Sequence, residues 1–379
     1  MNTDVLTKIV DAARGAGLDA IVACSPENFA YVAGFVVPSH HVLRWRHSLL
    51  VIKSDGTVFA FTVDMEKSTV EKNLPEVPLI TWGEFTDNSM QVFARMLSDL
   101  GLGRARIGIE TDYISGHDLE ILQKELVGVE LTPAQTLFNE ARMIKTPREL
   151  KSLHRLSRVS DASLGEALAS VNEGSTEMDI AASLTRGIYT RGAEDFKFMI
   201  VATGERSRLP NVGPTERVLQ AGDICRVEIF SIIKGYHAGV CRTASVGDPP
   251  DHAERIWGVL SDATQELLGL IKPGASSRSL YDAYLEMIRS LEMPPISFVG
   301  HGIGQHLHED PYLGRVGDWE LKPGMVLGIE PLIYETGHGF GMQNKDMVAV
   351  TETGCLLLSD VTDTTTLLRC GNLGNAASK

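Results

Sequence analysis

Apolar residues recur at helical spacing in four stretches of the C-terminal part of the chain. The clearest is 252–271, where they return in steps of four and three and so form one stripe along a helix, which Pro273-Gly274 ends. The same pattern predicts helices over 147–171, 177–191 and 279–291. Four strand-like runs lie between them, at 223–231, 236–246, 325–333 and 346–351. Helices segregated from long strand pairs predict an α+β domain with its helices packed on one side of the sheet.

The N-terminal part alternates between helical and extended patterns. Residues 9–16 are predicted to be helical and 19–24 extended, and a second helix begins at Ser25-Pro26 and stops at Gly34. Runs at 49–53 and 58–61 flank Asp55-Gly56 as a hairpin, and 106–110 reads as a further buried strand. This alternation predicts an α/β domain.

A domain boundary is predicted near Arg142. The segment that follows leads into Thr146-Pro147-Arg148-Glu149, a capping box with proline at the first helical position. We therefore expect one domain over residues 1–142, a second over 143–370, and a disordered tail over 371–379.

Composition narrows the class of protein. The 379 residues are 43% hydrophobic and 22% charged, as in ordinary globular proteins. A net charge of -14 argues against nucleic acid as a partner, because such binding depends on Lys and Arg neutralising phosphates. The chain shows no signal-peptide pattern and no apolar run near the roughly 20 residues of a membrane span, so a cytoplasmic location without membrane contact is expected. Five scattered cysteines are predicted to be reduced thiols.

A series of short motifs follows the predicted strands. In chain order they include Asn211-Val212-Gly213-Pro214, Gly222-Asp223, Arg242-Thr243, His301-Gly302-Ile303-Gly304 and Glu330-Pro331. Together they resemble the creatinase, prolidase and aminopeptidase P group, the M24 or pita-bread family, and Ser25-Pro26-Glu27-Asn28 resembles its N-terminal domain. The resemblance implies a creatinase-like α/β N-terminal domain, a pita-bread C-terminal catalytic domain, and a homodimer in which one subunit's N-terminal domain covers its partner's active site.

Metalloenzymes of this family carry Asp, Asp, His, Glu and Glu at five ligand positions, and the matching residues here are Glu228, Gly239, His301, Glu330 and Lys345. Glycine has no side-chain donor, and lysine places an ammonium where a bridging carboxylate is needed. An ammonium about 4 Å from a divalent ion costs roughly 8 kcal/mol at an effective dielectric constant of about 20. A dinuclear site is therefore not expected, and no metal or other cofactor is predicted.

The metal-free creatinase branch resembles this chain in lacking the two aspartates. The resemblance implies that His301 is a general acid and base. Glu228 and Glu330 would bind a cationic group or orient His301 and Lys345, and Lys345 would stabilise negative charge on a carbonyl oxygen. Two structural alternatives remain: a Glu–Lys bridge that fills the former metal site, and a histidine that is only hydrogen-bonded in the sheet. Gly239 would leave space beside them.

Several further positions are candidates for substrate binding. His308 matches a position that orients substrate, and Arg315 matches a creatinase arginine that binds a carboxylate. Arg44 and Arg46 lie where the partner subunit would reach into the site. Each of these arginines is alternatively a plain surface residue.

Three departures from creatinase alter the expected pocket. Cys241 and Asn344 stand where creatinase carries the two glutamates that hold a guanidinium, so creatine is not the expected substrate. Asn211 replaces a histidine usual in both branches. Cys241 would be a nucleophile if its thiolate were stabilised, or else a buried inert thiol.

The predicted function is metal-independent hydrolysis of a C–N bond, amide-like or amidine-like, in a small N-substituted amino acid or cyclic nitrogen compound. One alternative is a degenerate Xaa-Pro dipeptidase with a single metal on Glu228, His301 and Glu330. Another is a catalytically dead binding module. The near-balanced charges of the site favour a zwitterion or neutral amide, but the sequence does not identify the substrate.

Overall fold

The computed structural model describes residues 1–371, in two compact units that divide between Arg142 and Met143. The predicted tail 371–379 lies outside the described residues except for Gly371. Within residues 1–371, no helix combines the length and apolarity needed to cross a lipid bilayer.

The first unit is a mixed sheet with helices. Its helices are α1 (Thr3–Gly15), α2 (Pro26–Ala33), α3 (Lys67–Asn73), α4 (Ser89–Asp99), α5 (Gly116–Glu125) and α6 (Gln135–Met143). Its strands are β1 (Ala20–Ala23), β2 (Leu49–Lys53), β3 (Val58–Val63), β4 (Leu79–Trp82), β5 (Arg106–Ile109) and β6 (Glu130–Pro133). They form one sheet in the order β4-β3-β2-β1-β5-β6, in which the two pairs β1–β2 and β2–β3 are antiparallel and the other three are parallel.

Local chemistry sets the limits of α2 as the sequence predicts. The hydroxyl of Ser25 accepts a hydrogen bond from the backbone N–H of Asn28, and Pro26 occupies the first turn, where no N–H partner is needed. Gly34 ends the helix in the left-handed conformation, with φ of 84°.

The second unit carries the longer strands. Its helices are α7 (Pro147–Ala169), α8 (Glu177–Thr190), α9 (Ala253–Leu270) and α10 (Ser277–Met287). Its longer strands are β7 (Asp195–Thr203), β8 (Ile224–Ile233), β9 (Tyr236–Ser245), β10 (Phe298–Gly302), β11 (Glu309–Gly314), β12 (Val326–Ile329) and β15 (Asp346–Val350). Its short strands are β13 (Leu332–Ile333), β14 (Met342–Gln343), β16 (Cys355–Leu357) and β17 (Leu368–Arg369).

Two sheets of this unit meet at one bridge. Strands β17-β9-β8-β7 form the first sheet and β11-β10-β12-β15-β16 the second. Cys241 on β9 and Lys345, directly before β15, exchange backbone N–H to carbonyl hydrogen bonds of 3.2 Å each. Side chains near this bridge can therefore come from both sheets.

Helices α9 and α10 cover the second sheet. The predicted stripe of α9 is buried except at its C-terminal end: Ile256, Leu260 and Leu267 are fully enclosed in a cluster with residues of β10, β12 and β15, whereas Leu270 is 42% exposed. The capping box predicted at Thr146 is present at the start of α7, with Glu149 as its reciprocal partner.

Two predicted elements of the second unit differ from the structure, and in the first unit α1 begins at Thr3, earlier than the helix predicted over 9–16. The strand predicted over 325–333 is interrupted at Glu330-Pro331, since proline has no N–H for the sheet, and resumes as the short strand β13. The helix predicted over 279–291 begins earlier, because the Ser276 hydroxyl caps its first turn, and its last residues form a separate 3-10 turn. Strands β7, β10 and β11 are absent from the sequence prediction.

Candidate active site

The ammonium group of Lys345 lies among three buried side chains. Its Nζ is 3.1 Å from Oε1 of Glu228, 3.1 Å from Oε2 of Glu330 and 3.0 Å from Nε2 of His301. Lys345 is 1% exposed and His301 is fully enclosed. Because an ammonium has three N–H bonds, these contacts use its whole donor capacity. The structure thus brings together the four residues that the sequence proposes as catalytic.

Both sheets contribute to this cluster. Glu228 lies in the middle of β8, His301 on β10, Glu330 directly after β12 and Lys345 directly before β15. Gly328 on β12 pairs with His301, and a Cβ atom there would be 3.1 Å from Cε of Lys345. The missing side chain at Gly328 therefore makes room for the lysine beside the imidazole.

The charges of Lys345 and Glu330 stabilise each other. Burial by itself lowers the pKa of Lys345, but Glu330 and Glu228 outweigh it and raise the pKa above the usual lysine value. Burial likewise raises the pKa of Glu330, but Lys345 and His301 outweigh this effect and lower it to about 2. Lys345 is therefore an ammonium and Glu330 a carboxylate at neutral pH.

Hydrogen bonding fixes the tautomer of His301. Its Nδ1 is 2.8 Å from the carbonyl oxygen of Gly302, and a carbonyl can only accept, so Nδ1 carries the proton. Nε2 then holds a lone pair that accepts from Lys345. Oε1 of Glu330 is 3.3 Å from the same Nε2 and has no hydrogen-bond partner among the described residues, although it is buried. Nε2 thus faces both a donor and a spare acceptor.

Gln343 is a member of the site that sequence reasoning missed. Its Nε2 donates to Oε2 of Glu330 at 3.1 Å and to Oε2 of Glu228 at 3.3 Å. Its Oε1 accepts at 3.1 Å from the buried guanidinium of Arg226. Alternation in an extended segment places Gln343 on the same side as Lys345, two residues on, and this is the signal that could have found it.

Phe230 occupies the space beside Gly239. The two residues pair across β8 and β9, and a Cβ atom at position 239 would be 2.5 Å from Cε1 of the phenylalanine ring. The centre of this ring is 4.5 Å from Nζ of Lys345, a cation–π distance. The space that the sequence predicts to be free is therefore filled.

His308 joins the site by stacking on His301. The ring centroids are 3.8 Å apart and the rings are inclined by 27°. Surrounding atoms and the neighbouring His301 and Lys345 lower the pKa of His308 below the usual histidine range. A neutral, exposed histidine ring therefore lies beside the buried imidazole.

Cys241 and Asn344 border the cluster without presenting reactive groups to it. The Cys241 thiol is fully buried, 3.7 Å from the Gln343 carbonyl oxygen, and burial raises its pKa well above the usual thiol value. A thiolate nucleophile is thus disfavoured. The Asn344 amide accepts a hydrogen bond at 3.2 Å from Arg242 and donates one at 3.0 Å to Asp346. Asn344 is therefore part of a buried ionic network and is not free to bind a substrate.

Two remaining candidates of the second unit form no hydrogen bond or ion pair with Lys345 among the described residues. Asn211 is in an exposed loop, and Arg315 is exposed directly after β11 without a side-chain hydrogen bond to the described residues. In the first unit, Arg44 donates to the Tyr113 carbonyl at 2.6 Å and Arg46 contacts Glu84 at 2.7 Å. The expectation that these arginines serve a partner subunit remains a prediction.

The side chains at the five ligand positions do not fit a metal. Within residues 1–371, no group of three or more His, Cys, Asp or Glu side chains is arranged to hold one. Glu228, His301 and Glu330 are suitable donors, but all three point at the ammonium of Lys345, which repels a divalent cation. Gly239 offers no side-chain donor, and Phe230 covers it.

Comparisons with known proteins identify the class. A model of metallopeptidase family M24 matches residues 151–352, and one of the creatinase/prolidase N-terminal domain matches residues 6–144. An uncharacterized peptidase, YqhT, from Bacillus subtilis is 28% identical over 89% of this chain and 92% of its own. A Xaa-Pro dipeptidase from Pyrococcus horikoshii is 24% identical over 92% of this chain and 94% of its own. A solved dipeptidase from Pyrococcus horikoshii superposes with a TM-score of 0.84 at 26% identity, covering 96% of this chain and 99% of its own.

The chain therefore belongs to metallopeptidase family M24, among hydrolases that act on C–N bonds. The family resemblance read from the motifs and the predicted fold class are both confirmed.

Proposed function

We propose that this protein hydrolyses an amide-like C–N bond of a small N-substituted amino acid or cyclic nitrogen compound without a metal ion. One observation carries the proposal: the ammonium of Lys345 lies 3.0–3.1 Å from Glu228, Glu330 and His301, the three remaining donors of a family metal site. A fixed ammonium can stabilise a developing oxyanion, which is part of what a metal does as a Lewis acid.

The charges of the site suit a neutral amide or a zwitterion. Two carboxylates, Glu228 and Glu330, are balanced by the ammonium of Lys345 and by the guanidinium of Arg226, which reaches them through Gln343. A substrate with only a positive or only a negative charge would leave an uncompensated charge in this buried site, which is unfavourable. The relatives named dipeptidases support an amide in a small molecule with both charges.

His301 is the base in the proposed reaction. Its proton is on Nδ1, so Nε2 can accept one proton from a water molecule as the water oxygen bonds to the carbonyl carbon. The carbonyl π electrons move to the oxygen, which becomes an oxyanion. Nε2 then returns the proton to the leaving nitrogen as the C–N bond breaks and the carbonyl re-forms, giving a carboxylic acid and an amine.

Proton uptake by His301 also frees a donor on Lys345. Once Nε2 is protonated it no longer accepts from Lys345, and it can donate instead to Oε1 of Glu330, which is 3.3 Å away and otherwise without a partner. The released N–H of Lys345 is then available to the oxyanion in the same step. All three ammonium hydrogens are engaged before the reaction, and this exchange makes one of them available.

The second candidate is a Xaa-Pro dipeptidase that binds a metal. The names of relatives favour it, since a Xaa-Pro dipeptidase matches over most of the chain, and Glu228, His301 and Glu330 remain potential ligands. It would require the side chain of Lys345 to move out or lose its charge. Glu228 and Glu330 oppose the movement because they attract the ammonium. They oppose loss of its charge because they raise the pKa of the lysine.

The deciding experiment measures metal content and turnover together. Purified protein, dialysed against a chelator, is analysed by mass spectrometry for metals and assayed on Xaa-Pro dipeptides, N-acyl amino acids and cyclic amides, with and without added Mn²⁺, Co²⁺ and Zn²⁺. We expect less than 0.1 metal equivalents per chain and unchanged turnover of at least one amide. Turnover only after metal addition would overturn the proposal in favour of the second candidate.

A variant sharpens this test. Lys345→Glu gives the site the carboxylate found at that position in family metalloenzymes, so it should bind a divalent ion more tightly than the wild type while losing the metal-free turnover. Lys322→Glu, an exposed lysine of the same unit, is the matched control and should change neither property. Metal-free turnover that survives Lys345→Glu would contradict the role of the ammonium.

We further propose that the protein acts in the cytoplasm as a homodimer, with Arg44 and Arg46 of one subunit serving its partner's site. The family resemblance supports this arrangement. Sedimentation equilibrium tests the dimer, and mixing Arg46→Ala subunits with His301→Ala subunits tests the shared site. Restored turnover in the mixture is the expected result, and two inactive parents that stay inactive when mixed contradict it.

A further inference from the structure

A basic groove lies along α7, formed by residues that take no part in the proposed reaction. Its volume is about 520 Å³, and its lining includes Lys151, His154, Arg155, Arg158, Arg191 and Val361. Four of these occupy positions i, i+3, i+4 and i+7 of α7, so they project from one face of the helix. Arg191 directly follows α8 and brings a further guanidinium to the same groove.

The groove concentrates positive charge on an acidic protein. Four of its lining residues are Lys or Arg and none is Asp or Glu, whereas the whole chain has a net charge of -14. Arg158 pairs with Asp360, and Arg191 donates to Glu166 at 2.6 Å. Each of these two guanidinium groups is therefore already neutralised by a carboxylate.

The other two cations are uncompensated. Lys151 and Arg155 form no ion pair or side-chain hydrogen bond with the described residues. A Cβ atom at Gly192 would be 3.0 Å from Nη2 of Arg155, so the glycine makes room for this guanidinium beside Arg191. Lys151 and Arg155 are one helical turn apart on α7, and such like charges repel unless an anion lies between them.

His154 adds a buried polar atom. Its Nε2 is enclosed and has no hydrogen-bond partner among the described residues. A buried ring nitrogen without a partner is unfavourable, and an oxygen acceptor in the groove would satisfy it when the nitrogen carries a proton. The apolar Val159, Ala162 and Val361 complete the lining, which is typical of a ligand site with a few convergent polar groups.

We infer that this groove binds a small multivalent oxyanion of the phosphate or polycarboxylate class. Guanidinium groups pair with such anions through two parallel hydrogen bonds, which a single halide or a neutral ligand cannot offer. Lys151 and Arg155 supply the uncompensated charge, and His154 a hydrogen-bond donor. The inference is independent of the proposed catalytic function.

Isothermal titration calorimetry with pyrophosphate, and in a second arm with citrate, tests the site on the full chain. The test variant is Lys151→Gln/Arg155→Gln. Its matched control, Lys72→Gln/Arg95→Gln, removes the same two charges at exposed positions of the first unit that lack side-chain partners in the described structure. All four positions are on the surface, so both variants should fold, which circular dichroism checks.

We expect one saturable site in the wild type and in the control, and at least tenfold weaker binding in the test variant. Tighter binding of pyrophosphate would assign the phosphate class, and tighter binding of citrate the polycarboxylate class. If both double variants bound the anion equally weakly, the loss would reflect the overall surface charge, and the inference would be overturned. No saturable binding of either anion at low ionic strength would also overturn it.

Discussion

The ring of Phe230 lies against the backbone of Gly239 on the neighbouring strand, so closely that a Cβ atom there would be 2.5 Å from Cε1. The same ring faces the ammonium of Lys345 at 4.5 Å. The absence of a side chain at position 239 is therefore coupled to two other residues. The aromatic ring fills the space beside the glycine, and its face lies against the ammonium.

Gly239→Asp should destabilise the protein by about 1–3 kcal/mol from overpacking, with a further loss from a buried carboxylate. Adding Phe230→Ala should relieve the clash, although Phe230→Ala alone costs about 3–5 kcal/mol through its cavity. Urea denaturation of the two single variants and the double variant measures the coupling. A double variant as unstable as the sum of the single variants would contradict the contact.

Lys345→Met should lower the free energy of unfolding by about 3–5 kcal/mol, because it leaves Glu228 and Glu330 as a buried pair of like charges. Lys322→Met, at an exposed position, should change stability by less than about 0.5 kcal/mol. Chemical denaturation at pH 7 compares the two. Equal small losses would mean that the ammonium is not buried between the carboxylates.

The stability of the wild type should fall in acid as Glu330 takes up a proton. Its pKa in the folded protein is about 2, below the usual glutamate value of about 4.3, so its contribution is present above pH ~4.3 and is lost as the pH falls towards 2. Glu330→Gln should be less stable at pH 7 and should show a smaller loss between pH 5 and 2. Parallel stability curves for the two proteins would contradict this assignment.

His301→Ala should reduce kcat by roughly 10²–10⁴ with the fold retained, as expected for loss of a general acid and base. Steady-state kinetics on the amide substrate and circular dichroism give the two readouts. His117→Ala, at an exposed histidine of the first unit, is the control and should keep normal turnover. Unchanged kcat in His301→Ala would remove this residue from the mechanism.

Cys241→Ala should keep most of the turnover, because the thiol is buried and its pKa is raised well above the usual value. Alkylation by iodoacetamide should reach Cys241 only in denaturant, as peptide mapping would report. If the native protein were alkylated at Cys241 and inactivated, a thiolate role would have to be reconsidered.

The elements most reliably predicted from sequence are those with strong local signals. The stripe of α9, the capping box at Thr146 and the turn chemistry at Ser25 and Gly34 each depend on residues close in the chain, and the structure contains all of them. Strand β10, which carries His301, was missed, because a short run rich in glycine has neither alternation nor high strand propensity.

The sequence by itself determined the family, the two-part fold and the four charged or polar residues of the cluster, since ordered motifs specify which positions meet. Only the tertiary structure decided that the ammonium of Lys345 lies between Glu228 and Glu330, that Phe230 closes the space at Gly239, and that Gln343 joins both carboxylates. These relationships connect strands far apart in the chain. They depend on side-chain direction and distance across two sheets, which no local pattern encodes.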